Sequence, residues 1–543
     1  MSLPTLPLAI AGLVFLSTLS DGASAQTTER ASVGSFGEAN EGSAAAAISA
    51  DGRFVAFASA ASNLVSGDTN NWTDIFVRDL QTGITERVSV DSNGIEGRFA
   101  SFAPLISADG RFVTFDSSSP NLVPGDTNWK YDVFVHDRLM HTTERVSVSS
   151  NGDEADFNCK QTSISADGRY VTFYSRSRTL VIGPSGGTEH IFLHDRKTHV
   201  TELITVDPMG DPAGGPAYSS VISPDGRYVA FQSWGKNLIP NDNNFTSDVF
   251  VRDRMLGITE IVSLSSSGSP GDFASGGRPA ISADGRFVAF QSEATILVPG
   301  DNNGQRDIFI HDRELHTTER VSLDSLGSEV NGGSSGPYLS ADARFVTFQS
   351  LASNLVAGDS NLIYDIFVRD RLTGTTQRVS LDSNGIEGND GSTNPSISAN
   401  GQLVAFDSNA SNLVSGDTNG FSDVFVRDRT TGSELNTIIL TSSFHAPVLS
   451  PLDLAWFGAP PNSNYWLAYS KFSNGSIIGG HEFNLGAPYV IAATGVNSSD
   501  GTGSHSSIPI PSSAAGITIF IELGAQDGNG NLYDSTLQAV KFY

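Results

Sequence analysis

Residues Ile48-Ser49-Ala50-Asp51-Gly52-Arg53-Phe54-Val55-Ala56-Phe57 decide the fold, because the same stretch returns at Ile106, Ile164, Ile222, Ile281, Leu339 and Ile397. The steps are 58 residues throughout except for one of 59. Copies at so even a spacing are one supersecondary unit, stacked so that each buries its apolar faces against its neighbours. Within the first copy, Ala47-Ile48-Ser49 leads to Ala50-Asp51-Gly52, a two-residue hairpin signal, and then to Arg53–Phe57; these are strands A and B. After a loop come Asp74–Asp79, a turn at Thr82-Gly83, and Ile84–Val90, which are strands C and D. Strand B is apolar on both faces, as in a sheet lying between two others. Four strands in each of seven copies predict an all-β, seven-bladed β-propeller over residues 26–441.

The repeats begin one strand early. Thr27-Thr28-Glu29-Arg30-Ala31-Ser32-Val33 reads as a D strand with no A, B or C before it, while the last repeat supplies A, B and C up to Asp428. The N-terminal strand is therefore expected to complete blade seven and close the ring, removing the open edges that a linear array would have to cap. Glu434–Leu440 competes for the same edge.

The Asp-Gly dipeptide reads as hairpin geometry rather than chemistry. Asn400-Gly401 keeps the turn without the carboxylate, and Asp342-Ala343 keeps the carboxylate without the glycine. A catalytic or metal-binding acid tolerates the first change badly, whereas a turn accepts it and bears roughly 1 kcal/mol of strain from the second.

Ser223-Pro224-Asp225-Gly226-Arg227-Tyr228-Val229-Ala230-Phe231, followed by Asp248-Val249-Phe250-Val251-Arg252-Asp253, resembles the WD40-like repeat of TolB-type propellers over roughly residues 27–430. The resemblance implies the propeller fold and a periplasmic protein that binds partners through it. TolB also carries an α/β domain ahead of its propeller, which has no counterpart here, so a place in the Tol-Pal machinery is not implied.

Blade strands alternate in direction, so the A–B and C–D turns fall on one face and the B–C and D–A loops on the other. The second set is much longer, as in Ser59–Thr73 and Asp91–Pro104; loops of that length serve either function or blade-to-blade packing, and a working surface is expected on this face and at the channel mouth. The B–C loop carries Asp-x-Asn-x-x-x-Asp: Asp68, Asn70, Asp74; Asp126, Asn128, Asp132; Asp242, Asn244, Asp248; Asp301, Asn303, Asp307; Asp359, Asn361, Asp365; and Asp417, Asn419, Asp423. Hard oxygens at this spacing suit Ca²⁺, although the pattern departs from the EF-hand, and the same residues cap turns without any metal. Blade three replaces the motif with Gly183–His190, making Arg176, Arg178 and His190 ligand-contact candidates if the ring is specialised there. His136 with His141, His194 with His199, and His311 with His316 recur at the C–D hairpin, where other blades have Arg and Gly; a left-handed turn position accounts for the second of each pair, with metal binding the alternative.

A formal charge of -27 argues against nucleic acid and anionic membranes and favours cations or basic protein surfaces. Residues 1–25 read as a secretory signal cleaved after Ala25: Leu8–Leu19 is too short to span a bilayer and Ala23-Ser24-Ala25 fits the cleavage pattern, although the leading residues lack Lys and Arg. The protein is accordingly expected to be secreted or periplasmic, monomeric and without a membrane span. Its single cysteine, Cys159, excludes an internal disulfide and reads as an incidental thiol in a polar loop.

Catalytic signals are poor. Gly332-Gly333-Ser334-Ser335-Gly336 matches a nucleophile-elbow string without strand-to-helix context. Residues 442–543 lack the repeat and alternate short apolar runs with turns, which predicts an appended β-sandwich; Asp527-Gly528-Asn529-Gly530-Asn531 reads as a hairpin before a calcium half-loop. The leading functional expectation is a non-enzymatic scaffold whose long-loop face holds a protein or polysaccharide. The alternatives are a calcium-dependent adhesive surface protein and a hydrolase or lyase with paired carboxylates in the central channel.

Overall fold

The computed structural model describes residues 26–430 apart from 35–36, 182–186 and 241, together with the backbone of ten strands between Ile439 and Lys541. Residues 1–25, read above as a signal, lie outside the described residues.

Seven four-stranded antiparallel sheets follow one another in the order A-B-C-D. Blade one is Ser43–Ile48, Phe54–Ser59, Asp74–Asp79 and Ile84–Arg87; blade four is Ala217–Ile222, Tyr228–Ser233, Asp248–Asp253 and Ile258–Ile261. The A strands of successive blades touch one another all the way round, including the last against the first, so they line the axis of a closed ring. Blade seven takes Ser392–Ile397, Leu403–Ser408 and Asp423–Asp428 from the end of the repeats and its D strand, Thr27–Arg30, from the beginning. Thr27 pairs with Asp428 and Arg30 with Phe425. Of the competing segment Glu434–Leu440, residues 434–438 lie outside the described residues, and Ile439 and Leu440 pair with Phe457 and Trp456.

The core sits inside and between the blades. Phe57 and Phe76, on strands B and C of blade one, are fully buried and stack with centroids 5.8 Å apart, and all seven blades repeat the pair. The intervening residues Ala56, Ile75 and Val77 pack with Val113, Phe115 and Leu122 of the next blade. Burial of both faces is what the unbroken apolar B strands anticipated, and each buried phenylalanine contributes about 1.5–3 kcal/mol.

The Ser-x-Asp-Gly-Arg repeat builds the short-turn face. Ser49 Oγ donates to Asp51 Oδ1 at 2.5 Å and accepts from the Phe54 amide at 2.9 Å, while Arg53 grips Asp79 with Nε and Nη2 at 3.0 and 2.7 Å. Asn400 does the work of the aspartate through Oδ1, which accepts from Ser398 Oγ and the Gln402 amide. Ala343 adopts the left-handed turn with φ of 56°. Glycine is needed in other copies for a reason beyond the turn: a Cβ on Gly110 would lie 2.1 Å from the Phe54 ring of the preceding blade. Backbone bonds tie the turns into a circle, Ala50 N to Ala108 O, Ala108 to Ala166, Ala166 to Pro224, Ala283 to Ala341, Ala341 to Ala399 and Ala399 back to Ala50, at 2.8–3.2 Å. The seventh link is missing because Pro224 has no N–H.

The propeller is a compact unit spanning Ala25–Thr430. In the C-terminal part, Ile439–Ser442, Leu452–Phe457 and Gly503–Ile508 form one antiparallel sheet, and five strands around Asn464–Ser470 and Thr518–Gln526 form another. Whether the two sheets face one another as a sandwich lies outside the described residues, as does Asp527–Asn531 itself, but the strands that it joins pair as a hairpin, Gln526 opposite Leu532. No helix among the described residues is long and apolar enough to cross a membrane.

Deletion of residues 26–34 strips blade seven of its edge strand and should lower the melting temperature by on the order of 10 °C, reflecting several kcal/mol. An unchanged melt would show that another segment can close the ring.

Candidate binding face

The long B–C loops are shaped by their amides. Asn70 Oδ1 accepts from the Trp72 amide at 2.7 Å, and its Nδ2 donates to Asp74 Oδ2 and to the Gly97 carbonyl, both at 2.8 Å. Asp74 opens strand C fully buried, its Oδ1 accepting from Ser89 Oγ at 2.5 Å. The space between Asp68 and Asp74 holds the guanidinium of Arg87, with Nη1 3.4 Å from Asp68, 3.5 Å from Asp74 and 2.6 Å from Glu96. Four more blades repeat this. Arg145 sits among Asp126, Asp132 and Glu154; Arg320 among Asp301, Asp307 and Glu329; Arg378 among Asp359, Asp365 and Glu387; and Arg30 among Asp417, Asp423 and Glu38. The structure thus brings together the loop aspartates that the sequence singled out, and in five of six sets a fixed cation stands between them.

The arginine and glutamate escaped the sequence reading, although a signal existed. Both disappear together in blades three and four, where Leu203 and Pro212, and Ile261 and Pro270, take their places. Burial pushes the carboxyls of Asp68, Asp126, Asp301 and Asp359 up to about 6, with the neighbouring aspartate adding to the push and the arginine opposing it.

Blade three differs throughout. His190 occupies the C-strand position of Asp74, is buried, and shares a hydrogen bond between Nδ1 and Thr205 Oγ1 at 3.2 Å; burial lowers its pKa and keeps the ring neutral. Arg178 is exposed, and its backbone amide donates to Asp156. Arg176, half-exposed, donates from Nε to Glu189 Oε1 at 2.7 Å, and Glu189 also accepts from the Tyr218 hydroxyl. Of the three residues nominated from sequence, only Arg176 is therefore presented in a built constellation.

That constellation is aromatic. Tyr218 meets Tyr174 edge-on at 5.3 Å and Trp234 edge-on at 6.1 Å. Its place at the channel mouth follows from the strands: Tyr174 and Trp234 lie at the loop ends of strands B, and Tyr218 at the loop end of an inner strand A. Tyr174 also departs from a structural habit. Each A strand bulges near its start, and Gln232, Gln291, Gln349 and Asp407, at the Tyr174 position of their own blades, accept from the bulged amides of Gly277, Gly336, Asn394 and Ala45 in the following blade. Blade three has a phenol in place of that amide or carboxylate.

The remaining sequence readings fall on structural positions. His141, His199 and His316 have φ of 53°, 58° and 52°, and the Nδ1 atoms of His136, His194 and His311 lie 2.8–2.9 Å from a threonine hydroxyl of strand D, where Arg78 and Arg252 bond in other blades. Ser334 lies buried in an A strand, bonded to Ser350 Oγ. Cys159 is not in a loop: it opens strand A of blade three, fully buried, at the position that serine holds in blades one and two, and burial pushes its thiol far up.

A carboxyl whose pKa is raised by folding binds its proton more tightly in the propeller than in the unfolded chain. The loop acids therefore make the fold less stable as pH climbs from about 4 through about 6. His136, His194 and His311, pushed down to about 4 by burial, oppose this trend because they stay neutral in the fold while the unfolded chain takes up protons. The loop-acid contribution is therefore read as a difference: in calorimetry, lowering the pH from 8 to 5 should raise the melting temperature of the parent relative to that of Asp68→Asn, and an equal response of the two would contradict it.

No protein-family model and no curated protein matches the sequence. Among solved structures, the chain is similar to a putative TolB from Agrobacterium tumefaciens, at 17% identity, with 55% of this chain and 86% of that one covered and a TM-score of 0.35. It is also similar to the WD40 repeats of RRP9, at 8% identity over 75% of this chain and 99% of that one, with a TM-score of 0.38. A prolyl endopeptidase matches at 11% identity over 82% of this chain, which spans 59% of the enzyme's length, with a TM-score of 0.44. The fold itself rests on the strand pairing: among the described residues, 26–430 form a β-propeller of seven four-stranded antiparallel blades.

Proposed function

We propose that the protein is a non-enzymatic scaffold that holds a polysaccharide on its long-loop face, at the channel mouth between blades three and four. The observation that carries this is where aromatic surface is left exposed. Trp72, Phe99, Phe102, Trp129, Phe157, Trp234, Phe245, Phe273 and Phe421 all lie on the long-loop side, while the exposed apolar residues of the C–D turns, such as Leu139, Met140, Met255 and Leu256, are aliphatic. Aromatic faces take the C–H face of a sugar ring, and a planar Arg–Glu pair such as Arg176–Glu189 offers donors and acceptors to its hydroxyls. The acidic surface favours neutral or amino sugars over polyanions. Most of these aromatics lie in the loops, but Tyr174 and Tyr218 lie within strands and Trp234 directly follows one, which suits binding by a preformed surface at that site.

Export is part of the same proposal, supported by the leader-like residues 1–25. Mature protein should then begin at Gln26, which N-terminal sequencing reads directly.

Titration of neutral β-glucans, chitin oligosaccharides and mannans, followed by tryptophan fluorescence and calorimetry, tests the binding. Trp234→Ala and Tyr218→Ala should each weaken the tightest ligand at least tenfold, about 1.4 kcal/mol, without moving the melting temperature by more than a few degrees. Equal binding by Trp234→Ala and the parent would sink the assignment to this site.

A further inference from the structure

Blade four keeps both loop aspartates but not the cation that the other blades set between them. Ile261 stands at the arginine position and packs against the apolar cluster around Val229 and Phe250, and Pro270 stands at the glutamate position. Asp248 is fully buried; its Oδ1 accepts from Ser263 Oγ at 2.6 Å and its Oδ2 from Asn244 Nδ2 at 2.7 Å. Asp242 is 8% exposed, and its Oδ1 has no hydrogen-bond partner. In blades one, two, five, six and seven this same atom faces the guanidinium, at 3.2–3.7 Å. Lys236 lends Asp242 some positive field, but its ammonium is seated 3.6 Å over the Phe245 ring.

In the other six blades the loop aspartates either face a cation or are absent. Five have the arginine, and blade three has lost the arginine, the glutamate and the C-strand aspartate together. Blade four alone retains the acids without the base, and a buried carboxylate oxygen with no partner is a costly arrangement unless something from solvent answers it.

We propose that the blade-four loop binds one divalent cation, calcium, through Asp242 Oδ1 and the Asp248 carboxylate, with water completing the shell. The donors are hard oxygens, which suit calcium rather than zinc or copper. Both Asp248 oxygens retain a lone pair beyond the hydrogen bonds that they accept. Two carboxylates and a largely aqueous shell place the affinity with weak extracellular modules, at about 10⁻⁴–10⁻³ M.

The test uses the full chain and calcium chloride, with magnesium chloride and EDTA as the other arms. Isothermal titration should show one calcium per chain, and 5 mM calcium should raise the melting temperature by on the order of 2–5 °C by linkage. Asp242→Asn should weaken calcium binding at least tenfold. The double variant Ile261→Arg, Pro270→Glu rebuilds the blade-one constellation, and it should melt no lower than the parent and ignore calcium. If Asp242→Asn fails to fold, the double variant decides alone. A parent that shows no calcium response overturns the proposal, as does a response that survives rebuilding of the arginine cluster.

Discussion

Sheets that are apolar on both faces cannot end. Each blade lays Phe57-type and Phe76-type rings inside itself and presents valine, isoleucine and alanine to the neighbours on either side, so a blade without two neighbours would expose a core-sized apolar face. Closure of the ring answers this constraint, and much of the structure serves it. The glycines of the A–B turns let the preceding blade's aromatic ring approach, the backbone circle from Ala50 to Ala399 fixes the spacing, and the Arg53–Asp79 type of pair locks strand B to strand C.

Because the architecture is repeated, function is most visible where the repeat is broken. The five arginine-centred clusters are built identically, and a feature present in nearly every blade holds loops rather than selecting ligands. Blades three and four depart from that pattern side by side. Tyr174 replaces an interblade clamp, His190 replaces a buried acid, and Asp242 keeps its carboxylate after the arginine has gone. The specialised arc adjoins the aromatic surface at the channel mouth, so one sector of an otherwise uniform ring carries most of the chemical variety.

The fold was legible because its signals are local and repeated seven times. Even the closing strand could be read, since Thr27–Val33 matches Thr142–Val148 and has no hairpin of its own. The candidate site was legible only in part. Asp68 and Asp74 are close in sequence, but Arg87 and Glu96 reach them from strand D and the loop beyond, and the spacing within the B–C loop says nothing of that meeting. The cluster of Tyr174, Tyr218 and Trp234 was missed for the same reason: it spans two blades, and no single copy contains it. Cys159 was read as a loop residue because its flanks, Asp156-Phe157-Asn158 and Lys160, are polar or exposed, whereas its place at the start of a buried inner strand is set by the ring.

Thr27 pairs with Asp428, so the first strand to be synthesised is the last to find its partner. At typical elongation rates about 20–80 s separate the two ends, and throughout that interval blade seven is missing and the first and sixth blades each have an uncovered side. Such a chain assembles sequentially but locks only once, which gives it a long window of vulnerability during biogenesis. Once the ring has shut, no blade can leave without opening the N-terminal seam.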